Sequence, residues 1–148
     1  VLSERTEQSL LSHDVFVSPH LVSDVLKAIN EPIDESFLQK IQRVVSERQG
    51  SLTTNLNSSR TNQIRESIRV SYIEFGDFYV QLQEPEAALK YYNQARDFSI
   101  SPQHVYKVNK KIVFASILSR RLAGCSVYIS AMKSCAKTPS QQTSALIA

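Results

Sequence analysis

The sequence predicts an all-α fold in which antiparallel helical hairpins stack into a right-handed superhelix. Apolar residues recur with helical spacing along most of the chain, and no segment shows the sustained period-two alternation of a strand. One glycine stands within a stripe of aromatic residues, as expected where two helices approach closely. A helix-start signal, serine followed by proline, occurs at Ser18-Pro19 and again at Ser101-Pro102.

The segment 69–102 carries the most specific of these signals. The residues that define it on the first helix, the second helix and the following turn are Tyr72, Phe75, Gly76, Tyr79, Ala88, Tyr92, Ala95 and Pro102. A mid-helix glycine costs about 1 kcal/mol relative to alanine. We therefore interpret Gly76 as a point of close packing, with Ala88 and Ala95 as its small partners. The spacing predicts a tetratricopeptide-like hairpin, a scaffold that makes binding surfaces for other proteins.

Two helices are predicted before this hairpin. The pattern over residues 1–16 is weak. A helix then begins at Ser18-Pro19 and ends before Pro32. Its apolar stripe consists of Leu21, Val22, Val25, Leu26 and Ile29.

The second of these helices is capped by Asp34. Gly50 either ends it or forms a weak point inside it, because Leu52 continues the same apolar stripe. The polar residues 57–60 predict a loop.

The rest of the chain predicts four helical segments and the start of another. A long helix covers residues 61–82, and the second helix of the hairpin covers 85–98. A further helix follows Ser101-Pro102, and Gly124 separates it from a helix over 125–137. The buried side of the long helix is expected to contain Ile64, Ile68, Tyr72, Phe75 and Tyr79.

This pattern predicts three regions. N-terminal helices occupy 1–60, the tetratricopeptide-like repeats occupy 61–137, and 138–148 form the start of a truncated helix. The chain begins with Val1 instead of Met, so we expect a fragment of a longer protein.

Composition favours a mildly basic protein without a membrane span. The 148 residues carry a formal charge of +3, and no apolar run approaches the roughly 20 residues that a membrane-spanning helix needs. Cys125 and Cys135 lie about 15 Å apart along one predicted helix, too far for a disulfide. We expect buried thiols in a reducing compartment.

No residue pattern indicates catalysis, and we expect no catalytic, cofactor-binding or metal-binding residues. His13, His20 and His104 lack the spacing of a helical metal pair. The three glycines are too far apart for a phosphate-binding loop, and no serine stands in a nucleophile-elbow motif. Asp77 is interpreted as solvated or ion-paired.

A basic helical face is the best candidate for partner binding. It consists of Lys107, Lys110 and Lys111, with Arg120 and Arg121 just beyond. Such a face binds an acidic protein or nucleic acid, or is simply solvated. The aromatic residues that nucleic acid would need as stacking platforms are mostly committed to the hairpin core.

Four runs of sequence carry a family resemblance. Residues 61–69, 75–79, 87–92 and 95–98 are Thr-Asn-Gln-Ile-Arg-Glu-Ser-Ile-Arg, Phe-Gly-Asp-Phe-Tyr, Ala-Ala-Leu-Lys-Tyr-Tyr and Ala-Arg-Asp-Phe. They resemble the family of subunit one of the COP-nine signalosome. That family shows Ile-Lys-Glu-Ser-Ile-Arg, Leu-Gly-Asp-His-Tyr and Ala-Leu-Lys-x-Tyr-x-x-Ala-Arg-Asp-Tyr. Phe75, Phe78 and Phe98 replace its Leu, His and Tyr, and the change at Phe78 is expected to alter a surface contact.

The resemblance implies a non-catalytic scaffold of the PCI family. The signalosome removes the ubiquitin-like modifier from cullins (deneddylation) and so regulates cullin-RING ubiquitin ligases, with its catalytic metal in another subunit. The implied partners are other signalosome subunits and cullin-RING ligase components, in the nucleus and cytoplasm. From the residues themselves we expect no membrane partner and do not favour nucleic acid, although nucleic-acid binding through the basic face at 107–121 is kept as an alternative of another class. The family's PCI domain is expected to be absent here. The proteasome lid subunit of the same architecture is the alternative.

Overall fold

The described part of the structure, a computed structural model, comprises residues 18–32 and 34–136. It contains the helices α1 (Pro19–Ala28), α2 (Glu35–Thr61), α3 (Arg65–Gln81), α4 (Pro85–Asp97), α5 (Pro102–Leu118) and α6 (Cys125–Ala136). Each helix packs against the next along the chain, and these residues include no strand. The all-α class and the succession of helical hairpins are confirmed. The hand of the superhelix and the division at 60 and 137 stay predictions, and residues 138–148 lie outside the described part.

Four of the described helices, α1, α2, α3 and α5, are followed by a turn that contains a non-glycine residue in the left-handed conformation. Asn30, Gln63, Gln83 and Arg120 have φ between 54° and 61°. After α3, the Gln83 N–H donates to the Val80 carbonyl at 3.0 Å, and the next N–H donates to the Tyr79 carbonyl at 2.9 Å. These bonds satisfy the last carbonyls of the helix while the chain reverses. Glycine is the usual residue at this position, so these turns lack the customary sequence signal.

Helix α2 is continuous through both positions at which the sequence indicated a break. Gly50 lies inside the helix, so the helix runs on as the second alternative expected. The prediction of a loop at 57–60 is wrong, because these residues form the last turns of α2. Leu52 and Leu56 are buried on the same side and extend the packed face to this end of the helix.

Contacts with α3 hold the polar end of α2 in helical conformation. The hydroxyl oxygens of Ser59 and Ser71 lie 3.2 Å apart in a hydrogen bond. The Arg60 guanidinium donates to the hydroxyl of Tyr72. Polarity alone suggested a loop, and these interhelical bonds are the reason that it does not form.

Helix α3 begins at Arg65, four residues later than predicted. Gln63 takes the left-handed turn conformation, and Ile64 precedes the first turn as the N-cap residue. The expectation that Ile64 lies on the buried side is therefore wrong, since it is 52% exposed. In α6, Cys125 is buried and Cys135 is half-buried, and no disulfide joins them.

The contact between α3 and α4 is built around Gly76. A Cβ atom placed on Gly76 would lie 2.8 Å from Cζ of Tyr92 and closer still to two other carbons of that ring. Ala88 and Ala95 are fully buried on the same side of α4 as Tyr92. From the sequence, these two alanines were expected to be the partners of the glycine. That expectation is corrected: the aromatic ring between them occupies the space.

A second set of rings fills the volume beside this contact. Tyr91 stacks between two rings of α3, with its centroid 4.7 Å from that of Phe75 and 5.3 Å from that of Tyr79. The ring centroid of Tyr72 lies 5.8 Å from that of Phe98. Tyr72 and Phe75 are buried and Tyr79 is half-buried. Such stacked pairs stabilise the interface beyond the area that they bury. Phe78 is also buried, at 3% exposed, so the expectation that it alters a surface contact is wrong.

Replacing Gly76 by alanine should destabilise the fold, although alanine is the better helix former. The added methyl overlaps the Tyr92 ring, and overpacking of this kind costs about 1–3 kcal/mol. The matched control is Gly50→Ala, where an added Cβ meets nothing within 4 Å. The control should stabilise the chain by about 0.5–1 kcal/mol. Urea unfolding followed by circular dichroism measures both, and equal effects of the same sign would contradict the packing described here.

Candidate interaction site

A solvent-open groove lies between α3 and α5, with α4 contributing one ring to it. We call it the α3–α5 groove. Its volume is about 570 Å³, within the range of about 300–1,000 Å³ that is usual for binding pockets. The lining residues are Asp77, Val80, Gln81, Tyr92, Lys107, Lys110, Lys111 and Phe114.

One side of the groove is a single stripe of α5. Counted from Lys107, the residues Lys110, Lys111 and Phe114 follow after three, four and seven positions. This spacing places all four along one face of a helix. The core-facing side of the same helix contains Val108, Ile112 and Ala115, which are at most 1% exposed. Burial of that side fixes the rotation of α5 and turns the lysine stripe toward α3.

Asp77 of α3 connects the three helices at the groove. Its Oδ1 accepts a hydrogen bond from the Tyr92 hydroxyl at 2.6 Å and from Lys111 Nζ at 2.6 Å. Lys111 Nζ also lies 5.7 Å from the centroid of the Tyr92 ring, within range of a cation–π interaction. Asp77 and Lys111 are 43% and 38% exposed, so this ion pair is partly screened by water.

The electrostatics of this cluster keep Tyr92 in its neutral form. Tyr92 is 2% exposed. Burial raises the pKa of its hydroxyl well above the usual range, and the hydrogen bond to the Asp77 carboxylate raises this pKa further. The tyrosine therefore acts as a fixed donor that orients the carboxylate.

The remaining side chains give the groove a basic and apolar character. Lys107 and Lys110 are exposed. Three lysines face one carboxylate, and Lys111 already neutralises that carboxylate. Val80 is half-buried and Phe114 is 53% exposed, so apolar surface lies beside the two outer lysines. The groove can accept negative charge and an apolar group together.

The structure divides the basic residues that the sequence grouped. Lys107, Lys110 and Lys111 meet in the groove. Arg120 lies in the turn after α5 with φ of 56°. Arg121 pairs with Glu86 of α4, with 2.8 Å between Nη2 and Oε1. Neither arginine lines the groove, because α5 ends before both of them. The partner-binding role that the sequence suggested for all five basic residues stays a prediction.

Five of the eight residues that line the groove were outside the predicted partner-binding set, and three of these five show why the sequence missed them. Asp77 was interpreted as solvated or ion-paired, and its partner stands 34 residues away, too distant in sequence to identify. Tyr92 was assigned to the core alone, although its hydroxyl reaches the groove. Phe114 stands on the same stripe as the lysines, so the helical period of α5 was the signal that could have found it.

The described residues contain neither a candidate metal site nor a candidate membrane span. No group of three histidine, cysteine, aspartate or glutamate residues there could hold a metal ion. No helix in that part of the chain is long and apolar enough to cross a membrane. Of the histidines, His104 lies closest to a carboxylate, with its Nδ1 atom 3.7 Å from an oxygen of Glu66 in the described part of the chain. The hydrogen bond from Arg69 is the main reason that the pKa of the Glu66 carboxyl is lowered. His13 lies outside the described residues.

Comparisons with known proteins match most of the chain. A family model described as 26S proteasome subunit RPN7 matches residues 34–145. COP9 signalosome complex subunit 1 of Emericella nidulans is 33% identical over 93 residues, which are 61% of this chain and 19% of the relative. The Arabidopsis thaliana protein of the same name is 29% identical over 97 residues, 66% of this chain and 22% of the relative.

A third relative agrees with these two. COP9 signalosome complex subunit 1b of Drosophila melanogaster is 32% identical over 83 residues, 56% of this chain and 16% of the relative. The chain thus spans about a fifth of the length of the curated relatives that it matches.

The raised pKa of Tyr92 predicts a specific loss of stability in alkali. An unfolded tyrosine ionises near pH 10, whereas folded Tyr92 stays protonated above that pH. Its contribution to the free energy of unfolding is therefore complete below about pH 10 and is lost as the pH rises through the folded-state pKa. Urea unfolding at about pH 8 and about pH 11 should show a smaller alkaline loss in Tyr92→Phe than in the unmodified chain.

The control for this experiment is Tyr106→Phe, at a position on α5 that is 39% exposed. It should lose as much stability in alkali as the unmodified chain. If the three proteins show the same dependence on pH, Tyr92 is not held neutral by its surroundings.

Proposed function

The chain belongs to the family described as 26S proteasome subunit RPN7, and from that premise we propose that it is a scaffold region of a signalosome subunit. In this proposal the chain has no catalytic activity of its own. The complex removes the ubiquitin-like modifier from cullins and thereby regulates cullin-RING ubiquitin ligases. The catalytic metal belongs to another subunit.

The observation that carries the proposal is the agreement of three relatives. Proteins of a fungus, a plant and an insect that match this chain are each named as subunit 1 of the COP9 signalosome, or its form 1b. Their names support other subunits of that complex as partners. Cullin-RING ligase components are further proposed partners, and we propose the nucleus and cytoplasm as the place of action.

The architecture fits a scaffold. Successive helices pack in order from α1 to α6, so each hairpin buries one side on its neighbour and leaves the other available. The α3–α5 groove is such an available surface, and its lining residues come from three helices that are fixed by the hairpin core. A surface built in this way keeps its shape without a partner, which lowers the ordering cost of binding.

The second candidate is a scaffold subunit of the proteasome lid. The family model that matches residues 34–145 carries the description of a proteasome subunit, and this favours the candidate. The names of the curated relatives favour the signalosome. The two candidates share fold and type of function and differ in the complex that the chain enters.

Nucleic-acid binding through the basic face loses support from the ion pairs. Lys111 is paired with Asp77 and Arg121 with Glu86. Affinity for nucleic acid grows with the number of phosphates that cations neutralise. Pairing two of the five basic residues with carboxylates weakens that interpretation, and we do not propose it.

Segment exchange tests the proposed function. The matching segment of the Emericella nidulans subunit 1 is replaced by residues 34–136 of this chain, and the chimera is expressed with the other signalosome subunits. We expect it to co-purify with them in normal stoichiometry and to support cullin deneddylation at an unchanged rate, because the exchanged segments are related in sequence. The same exchange into the proteasome lid subunit is the comparison.

The control carries Gly76→Ala within the exchanged segment, which should reduce incorporation by weakening the hairpin. A chimera that is folded by circular dichroism but is excluded from the signalosome contradicts the proposal. Incorporation into the lid alone would select the second candidate.

A further inference from the structure

We propose that the α3–α5 groove binds an acidic peptide segment of a partner protein, with carboxylates at Lys107 and Lys110 and a large apolar side chain against Phe114 and Val80. This inference rests on the proposed function, since it names the chemistry of a partner that a scaffold would hold. It does not depend on which of the two complexes the chain enters.

The charges of the groove favour an acidic occupant. Lys111 and the Tyr92 hydroxyl both satisfy Asp77. Lys107 and Lys110 remain as exposed cations three residues apart, which on a helix places their Cβ atoms about 5–6 Å from each other. Two peptide carboxylates can form ion pairs with these two lysines if they stand on neighbouring turns of a helical peptide or on alternate residues of an extended one. Exposed ion pairs contribute little affinity each, but they orient a partner and exclude basic ones.

The apolar surface supplies the contact that the lysines cannot. Phe114 is 53% exposed although it stands on a helix whose opposite side is fully buried. Val80 borders the same opening. Burial of a large apolar side chain between them removes surface from water on both partners. An acidic segment without such a residue would therefore bind more weakly than one that carries it.

Asp77 sets the register of the occupant. Its carboxylate lines the groove, where Oδ1 pairs with Lys111 and accepts a hydrogen bond from Tyr92. A peptide carboxylate placed directly over Asp77 would be repelled. The acidic residues must therefore lie toward Lys107 and Lys110, which leaves the region of Val80 and Phe114 for the apolar residue.

Nucleic acid fits these observations less well than a peptide. Among the described residues, its phosphates would find two groove lysines outside an ion pair, and binding through phosphates requires several contacts. Its bases would need an open aromatic surface for stacking, whereas the Tyr92 ring is buried against Gly76 and is 2% exposed. A single exposed ring, that of Phe114, borders the groove.

A fluorescence anisotropy titration tests the inference. The probe is a fluorescein-labelled peptide of about a dozen residues that alternates Asp and Glu around one Phe, and the reference is its Asn and Gln counterpart. The protein is the 148-residue chain. We expect the acidic peptide to bind and the neutral one to bind at least about tenfold more weakly, with affinity that falls as salt rises.

The decisive variant reverses both outer lysines, Lys107→Glu with Lys110→Glu. Its matched control is Lys90→Glu with Lys133→Glu, which makes the same change in net charge at exposed positions that do not line the groove. We expect the groove variant to weaken binding about tenfold or more and the control about twofold or less. Phe114→Ala should weaken binding of the acidic peptide without changing its salt dependence.

Three results would overturn the inference. The first is no binding of the acidic peptide to the folded chain. The second is an equal loss of affinity in the groove variant and in its control, which would assign the effect to net charge alone. The third is tighter, groove-dependent binding of a single-stranded oligonucleotide. Assembly of the segment-exchange chimera with peptide binding absent rejects this inference alone, whereas peptide binding without assembly rejects only the proposed complex.

Discussion

The close approach of α3 and α4 at Gly76 is the constraint on which the rest of the structure depends. The Tyr92 ring lies where a side chain at position 76 would be. Its hydroxyl consequently reaches Asp77, one residue further along α3, and Asp77 in turn holds Lys111 of α5. One packing contact thus aligns three helices and fixes the charges of the α3–α5 groove. Core and surface are therefore not independent in this hairpin.

The sequence predicted the parts of the fold that follow from helical periodicity. Gly76 within the aromatic stripe of one helix, with Ala88 and Ala95 on the next helix, indicated the α3–α4 hairpin, because a glycine inside a helix usually marks close packing. This pattern did not indicate which group would meet the glycine, since Tyr92 stands between the two alanines on the same face. Polar composition misplaced the end of α2, where Arg60 and its bond to Tyr72 hold the last turn. Such bonds join distant positions and leave no local signal.

The groove, too, could be predicted from the sequence only in part. The stripe of lysines on α5 is visible in the sequence, as is the helical spacing that adds Phe114 to it. The pairing of Lys111 with Asp77 and of Arg121 with Glu86 depends on how three helices are stacked. That stacking separates a run of five basic residues into a groove-lining set and a set outside it. A scaffold gains specificity in this way, because the partner meets a defined arrangement of charge instead of a diffuse basic surface.

The coupling free energy between positions 76 and 92 measures whether the Tyr92 ring occupies the space above Gly76. It is obtained from urea unfolding of Gly76→Ala, Tyr92→Leu and the double variant. If the ring fills the space above the glycine, removing the ring relieves the overlap. The double variant should then be more stable than the sum of the single effects by at least about 1 kcal/mol. Additivity within about 0.3–0.5 kcal/mol would contradict the account.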